Sequence, residues 1–351
     1  MVPRPTAAEV LELEAYPDAV WSLSPTQSGK LDVATGRGGP FKIDWEVHGT
    51  GDIKLVWILG LGSVKTGWQR QTLEFGHHEA DKYSSLIFDN RGMGKSDKPV
   101  MRYSTSEMAQ DIIELLDHLG WTSPRELNVS GVSMGGMIGQ ELGLLIPSRI
   151  NSLNLISTAA YIENTTTWFE NLLTRISMFI PKSLDRSLHD SALSLFAASW
   201  LDSPDDTIVP SPSTSPDVQF PPRGHYLTYS TNFARFAATE LTKKLDTTQF
   251  TRLGFILQAI AAGWHYKSPA QLKELGDKVG RERIAVWHGM EDRMISVLHG
   301  EKLAAWLEPG RVEIVEGRGH VFMLEEWKWH NDVVKEGIKK GMGINEQDRR
   351  K

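Results

Sequence analysis

The stretch LNVSGVSMGGMIGQEL, Leu127 to Leu142, sets Ser133 among three glycines with apolar residues on both flanks. A strand-like run (126–131) precedes the serine and a helix-like run (134–147) follows it and stops at Pro147. A chain that turns from strand into helix around one residue forces that residue into a strained conformation. Its neighbours then collide unless they lack a Cβ. Gly131 and Gly135 meet this need and leave the Ser133 hydroxyl proud of the carboxyl edge of a sheet. G-x-S-x-G between a strand and a helix is the pattern of a nucleophile elbow. Glycine-rich turns ahead of helices also bind phosphate or simply pack closely, so the serine needs support from elsewhere in the chain.

A serine hydroxyl is a poor nucleophile at neutral pH and needs a base, which in turn needs an orienting acid. Both belong at the carboxyl ends of later strands, in the order Ser, acid, His. The run RIAVWHG (283–289) leads into MEDRM and places Asp292 just past a strand. The run RVEIVEG (311–317) leads into RGH and places His320 just past the next. Glu291 competes with Asp292, and the longer spacing after His288-Gly289 favours Asp292. His288, at the end of its own strand, reads as structural. An oxyanion hole needs two backbone N–H groups. Met134, after the nucleophile, supplies one. Leu61, in the loop WILGLGSVKTGW (57–68), supplies the other, with Gly60 and Gly62 allowing close backbone approach. The plainer alternative for those glycines is an ordinary β-to-α turn.

The rest of the chain fits an α/β class with a mostly parallel, doubly wound sheet. KLVWILG (54–60), SSLIFD (84–89), ELNVSG, SLNLIS (152–157) and the two runs above are short and mostly apolar, as strands covered on both faces are. Helical patterns at 104–121, 134–147, 270–279, 297–308 and 325–341 separate most of them, so the crossovers are right-handed. KLDVATG (30–36) and FKIDWEVHG (41–49) alternate and suit an edge hairpin. Residues 1–28 read as an extension lying on the core. From 159 to 266 the alternation stops. Helical stretches near 165–180, 185–201, 226–244 and 247–265 flank a Pro/Ser-rich loop (203–225) that is long enough to be mobile. The simplest division is a core of 29–158 and 267–345 with a helical cap of 159–266 inserted into it. The cap is rich in apolar side chains, among them Trp168, Phe169, Leu172, Ile176, Phe179, Phe196, Phe233, Phe255 and Ile260. Most of these should form its own core, and some should face Ser133.

The 351 residues carry a formal net charge of -6, which leaves no electrostatic footprint for nucleic acid. There is no cysteine, so disulfides, thiolate nucleophiles and Cys-ligated metals are excluded. No run approaches the ~20 apolar residues of a membrane span, and the start does not read as a signal peptide. A cytoplasmic protein is the default expectation, with oligomeric state left open. Gly-Lys-Ser at 94–96 lacks the glycine five places earlier that a phosphate loop requires, since Asp89 stands there. Lys65 stands where a dinucleotide fingerprint needs its third glycine. His77, His78 and Glu79 read as a surface cluster rather than a metal site.

With these residues in hand, the chain resembles the α/β-hydrolase superfamily over most of its length beyond the first ~28 residues. DNRGMGKSD (89–97) looks like the loop after that family's fourth strand, with Arg91 tying loops together. HGMEDRM and GRGH look like its acid and histidine loops. The likeness is to esterase- or lipase-like enzymes with a helical lid, of a sort common in fungi. One departure is that the usual His-Gly of the oxyanion loop is Leu59-Gly60 here; a second is the length of the cap. The resemblance implies acyl transfer to water from a medium-sized apolar ester or lactone, with Ser133, His320 and Asp292 as triad and no metal or organic cofactor. An acyltransferase or carbon–carbon hydrolase would keep the same triad. A non-catalytic small-molecule-binding protein on the same fold is the alternative from another class.

Overall fold

The structure, a computed structural model, describes residues 4–163 and 182–350. They form one eight-stranded sheet from β1 (Gln27–Val33), β2 (Phe41–His48), β3 (Ile53–Ile58), β4 (Tyr83–Phe88), β5 (Leu127–Val132), β6 (Ile150–Ile156), β7 (Ile284–Gly289) and β8 (Arg311–Val315). The order across the sheet is β1-β2-β4-β3-β5-β6-β7-β8. The two alternating runs make the expected edge hairpin, with Gln27 opposite Val47 and Val33 opposite Phe41. The six apolar runs are all parallel to one another, and β2 meets β4 antiparallel. Strand order reverses at β3, which lies between β4 and β5. A crevice opens at the carboxyl ends beside such a reversal.

Alternation along each strand divides the apolar residues between two faces. Val56, Ile58, Val129 and Val286 pack against α3 (Thr105–His118), α4 (Met134–Leu145), α9 (Pro269–Val279) and α10 (Val297–Leu307). Leu55, Trp57, Ala285 and Trp287 pack on the other face against Trp68, Phe75 and the C-terminal helix α12 (Trp327–Arg350). Local signals set the helix ends. The Ser104 hydroxyl accepts the Glu107 amide at 3.1 Å and starts α3. Gly120, with φ of +71°, ends the turn that follows α3. The helix expected at 325–341 begins at Trp327 and is preceded by a separate short one. A short α11 (Phe322–Glu325) stops at Glu326, and α12 then runs on to Arg350.

Between β6 and β7 the described residues hold α5 (Leu184–Leu195), α6 (Ala198–Leu201), α7 (Asn232–Leu245) and α8 (Arg252–Gly263). The helix expected near 165–180, with Trp168, Phe169, Leu172, Ile176 and Phe179, lies outside the described residues. Helices α5 and α7 share a separate apolar cluster, and residues 7–19 belong to it: Ala7, Val10, Ala15 and Ala19 pack with Leu188, Phe196, Phe233 and Leu241. Residues 7–19 therefore lie on the inserted helices through helix α1 (Ala7–Leu11), while the rest of the extension lies on the core, with Ala19 and Trp21 each bonded to the Gln69 side chain at 3.0 Å and the Thr26 amide donating to Val47 at 2.8 Å. Asp185 accepts the Ala7 amide at 2.6 Å, and the Tyr229 hydroxyl donates to the Ala15 carbonyl at 2.6 Å. The 203–225 loop, read as mobile, is tied down at several points. Asp205 pairs with Arg235 at 2.7 Å, Ser215 meets the His78 ring at 3.1 Å, and Gln219 bridges to Ser22. No helix among the described residues is long and apolar enough to cross a membrane.

Candidate active site

Ser133 occupies the single residue between β5 and α4 with φ of 59° and ψ of -123°. This is a strained conformation for a residue with a side chain. Its surroundings account for the glycines. A Cβ on Gly131 would lie 2.3 Å from the Gly135 carbonyl oxygen, and one on Gly135 would lie 2.2 Å from that of Ile58. The turn is fastened from both sides. The Ser133 amide donates to Ile156 at 2.8 Å, and the Thr158 hydroxyl donates to the Ser133 carbonyl at 2.7 Å. The Ser133 hydroxyl itself makes no hydrogen bond among the described residues.

Asp292 and His320 come together although they sit in different loops. His320 Nδ1 lies 2.7 Å from Asp292 Oδ2. Both side chains are buried, whereas Glu291 is exposed and its carboxylate makes no hydrogen bond or ion pair among the described residues. Asp292 Oδ1 accepts the amides of Met294 and Ile295, each at 2.8 Å. Burial pushes the Asp292 carboxyl up, but the charge of His320 and the hydrogen bonds from His288 and His320 outweigh it and hold the group well below the usual carboxylate range. Asp292 is thus an anion that accepts a proton-bearing Nδ1, which leaves the His320 lone pair on Nε2.

His288, dismissed from the sequence as structural, also touches this pair. Its Nε2 lies 3.1 Å from Asp292 Oδ2 and 2.7 Å from the Ile295 carbonyl. Two acceptors around Nε2 fix the proton there. The acid and histidine loops are packed into each other, since a Cβ on Gly289 would sit 2.1 Å from the Gly319 carbonyl oxygen. Glu325, buried in α11, accepts the amide of Gly319 at 3.0 Å and that of Ala197, between α5 and α6, at 3.2 Å. Glu325 falls inside a run that reads as helix, and nothing in its neighbourhood signals this role.

The loop after β3 lies directly against Ser133. A Cβ on Gly60 would come within 2.8 Å of the Ser133 Cβ and 3.3 Å of its Oγ. Among the described residues neither the Leu61 amide nor the Met134 amide donates a hydrogen bond. Met134 is buried and Leu61 half-buried, and buried backbone donors are ordinarily paired, so the free Met134 amide beside a strained serine stands out. Gly62 has φ of +70°, and its amide is taken by the side chain of Gln258 in α8 at 2.9 Å. Arg91 is buried and bidentate to Asp111, with both contacts at 2.6 Å, as its expected tying role requires. No group of three or more potential metal-ligating side chains is present among the described residues.

The arrangement can be compared with known proteins. The family model described as alpha/beta hydrolase fold matches residues 56–326, more than half of the chain. A 3-oxoadipate enol-lactonase 2 from Acinetobacter baylyi is 36% identical over 114 residues, 32% of this chain and 40% of that protein. The chain spans about two fifths of the length of the first curated relatives it matches. A putative carbamate hydrolase, RutD, from Caulobacter segnis is 27% identical over 296 residues, 83% of this chain and 94% of that protein. Among solved structures, a hydrolase from Pseudomonas aeruginosa superposes with a TM-score of 0.65 at 20% identity, covering 90% of this chain and 99% of that one. An enol-lactonase from Burkholderia xenovorans superposes with a TM-score of 0.62 at 17% identity, covering 89% and 100%. At such identities the structural likeness speaks for the fold. The family match, which spans Ser133, Asp292 and His320, settles the family: this chain is a member of the alpha/beta hydrolase fold family.

Proposed function

We propose that this chain is a serine hydrolase that transfers the acyl group of a medium-sized apolar ester or lactone to water. The observation that carries the reading is the buried Asp292–His320 pair at 2.7 Å, at the same sheet edge as the strained Ser133. In this reading Ser133 Oγ attacks the substrate carbonyl carbon and gives its proton to His320 Nε2. No hydrogen bond joins the two among the described residues, and the mechanism requires one to form on substrate binding, as catalytic hydrogen bonds commonly do. The amides of Leu61 and Met134 bind the oxyanion as it forms. Collapse of the tetrahedral intermediate breaks the bond to the leaving alcohol, which takes the proton from Nε2. Water then attacks the acyl-serine, His320 removes its proton, and the second collapse frees the acid and restores Ser133. With a lactone, alcohol and acid remain one molecule, a hydroxy acid. Asp292 stays ionised throughout and steadies the imidazolium.

The names of the relatives favour ester-like carbonyls, with an enol-lactonase at 36% and a carbamate hydrolase at 27% identity. The apolar side chains of residues 159–266 favour a substrate with little charge. These residues act as a cap over a core of 29–158 and 267–345, excluding water and selecting the acyl group. Phe255 supports this role, because it lies against Gly62 beside the oxyanion amides. The test is turnover of a graded series of p-nitrophenyl esters and lactones by the wild type and by Ser133→Ala. The variant should lose several orders of magnitude in kcat with its fold intact, and a fluorophosphonate should label the wild type at Ser133. Near-wild-type turnover by Ser133→Ala would remove the reading. Labelling without turnover of any ester or lactone would favour a binding protein on this fold.

A further inference from the structure

We infer that Gln258 of α8 is a positioning residue for the oxyanion loop, anchoring the turn at Gly62 and so fixing where the proposed Leu61 donor sits relative to Ser133. The inference rests on the proposed serine chemistry and adds a residue from the inserted helices to it.

Residues 60–63 form a tight turn in which the Ser63 amide reaches the Gly60 carbonyl at 3.4 Å. The φ of +70° at Gly62, the third position, is that of a type II turn. Type I and type II turns differ by a flip of the central peptide, roughly a 150° change in ψ at the second position. Here that peptide joins Leu61 to Gly62. The flip leaves the Leu61 N–H, which lies in the preceding peptide, in place, but it removes the Gly62 amide through which the turn is anchored, and Leu61 rides on that anchor. The turn's own hydrogen bond is long and does not choose between the two forms, since it spans the outer residues.

The inserted helices make the choice. Gln258 Oε1 accepts the Gly62 amide at 2.9 Å, and its Nε2 donates to the Arg91 carbonyl at 2.9 Å. The Gln258 side chain is fully buried, and a flipped peptide would leave its Oε1 without a partner. Lys243 of α7 donates to the Gly62 carbonyl at 3.1 Å. A Cβ on Gly62 would meet the Phe255 ring at 2.8 Å. Residue 62 is therefore gripped at its amide, its carbonyl and its α-carbon by three side chains of the insertion. Arg91 is itself anchored by Asp111, so Gln258 bridges the oxyanion loop to a rigid part of the core. The Asn90 side chain adds a contact to the Leu59 carbonyl at 3.2 Å on the same loop.

The distinguishing property of such a residue is that its loss weakens the transition state and spares substrate binding. Gln258→Leu removes both hydrogen bonds at similar volume. Gln258→Glu keeps an acceptor for the Gly62 amide, loses the donor to Arg91, and guards against failure of the first variant to fold. For an ester turned over by the wild type, kcat, KM and the affinity for an alkyl boronic acid, which mimics the tetrahedral adduct on serine, are measured in parallel. We expect Gln258→Leu to lower kcat by 10- to 100-fold, less than the roughly 10²–10³ of deleting an oxyanion donor outright. KM should stay within about twofold of the wild type, boronate affinity should fall in step with kcat/KM, and Gln258→Glu should recover part of both. Unchanged kcat and boronate affinity in a folded variant, or a rise in KM alone, overturns the positioning role. Failure of the serine chemistry itself is seen separately, because Ser133→Ala would then keep its activity whatever Gln258 does.

Discussion

Asp292→Asn is the substitution whose outcome the geometry constrains most. Asp292 Oδ1 faces two amide donors, Met294 and Ile295, each at 2.8 Å. Only an oxygen can stay there, so the new side chain must turn its NH2 toward His320 Nδ1 and His288 Nε2, at 2.7 and 3.1 Å from the atom it replaces. An amide NH2 donates and does not accept. His320 therefore has to present a lone pair at Nδ1, and its proton moves to Nε2, the atom that the proposed mechanism needs free to receive the Ser133 proton. His288 loses one acceptor and retains the Ile295 carbonyl. Imposing the wrong tautomer on a triad histidine costs on the order of 10⁴ in kcat, about 5 kcal/mol at ~1.36 kcal/mol per tenfold. The assay is steady-state hydrolysis of a p-nitrophenyl ester, with circular dichroism to establish that the fold survives. Glu291→Gln is the control, since Glu291 is exposed and should stay within about twofold of the wild type. A rate for Asp292→Asn within tenfold of wild type, or a larger loss in the control, would refute the reasoning.

Two further outcomes follow from close contacts and burial. Gly60→Ala drives a methyl group to 2.8 Å from the Ser133 Cβ, and such a displacement of the nucleophile should lower kcat on the order of 10²-fold; an unchanged rate in a folded variant would mean that loop and serine are not held against each other. Burial pushes the Glu325 carboxyl up to about 7, against the Gly319 and Ala197 amides and the charge of Arg318, while Glu291 adds to the rise. A carboxyl with a raised folded pKa makes the folded state bind more protons than the unfolded one, so its contribution to stability is present below about 4.5 and is lost as pH rises toward about 7. Thermal denaturation across that window should show the wild-type Tm falling relative to that of Glu325→Gln, and parallel curves would count against the assignment.

The parts of this molecule that read directly from the sequence are those with local causes. The six parallel strands are apolar runs because both their faces are covered. The elbow is legible because strain at Ser133 demands glycines within two places of it. The acid was harder. Glu291 and Asp292 are neighbours in one loop, and what separates them is the direction that Met294 and Ile295 impose through their amides. His288 sits at a strand end where its second contact, to Asp292, depends on how the following loop folds back. Gln258 and Gly62 are 196 residues apart, and no spacing rule joins a helical glutamine to a turn amide at that distance. The seat of residues 7–19 was hidden for a similar reason: Ala7 and Val10 are too few to show a periodicity, and their partners lie in α5 and α7.

That packing of residues 7–19 on α5 and α7 also bears on the order of events during synthesis. Arg4 meets Asp202, Ala7 meets Asp185 and Tyr229 meets Ala15 across 178 to 214 residues of chain. The segment leaves the ribosome well ahead of every surface it docks on, while domains fold broadly in the order in which they emerge. Contacts of such long range close slowly. During that interval Val10 and Ala15 stay exposed, as do the faces of α5 and α7 that they will cover. Docking of the segment therefore waits at least until Tyr229 has emerged. A chain caught before it would carry an unsealed apolar seam on the inserted helices, a form prone to self-association.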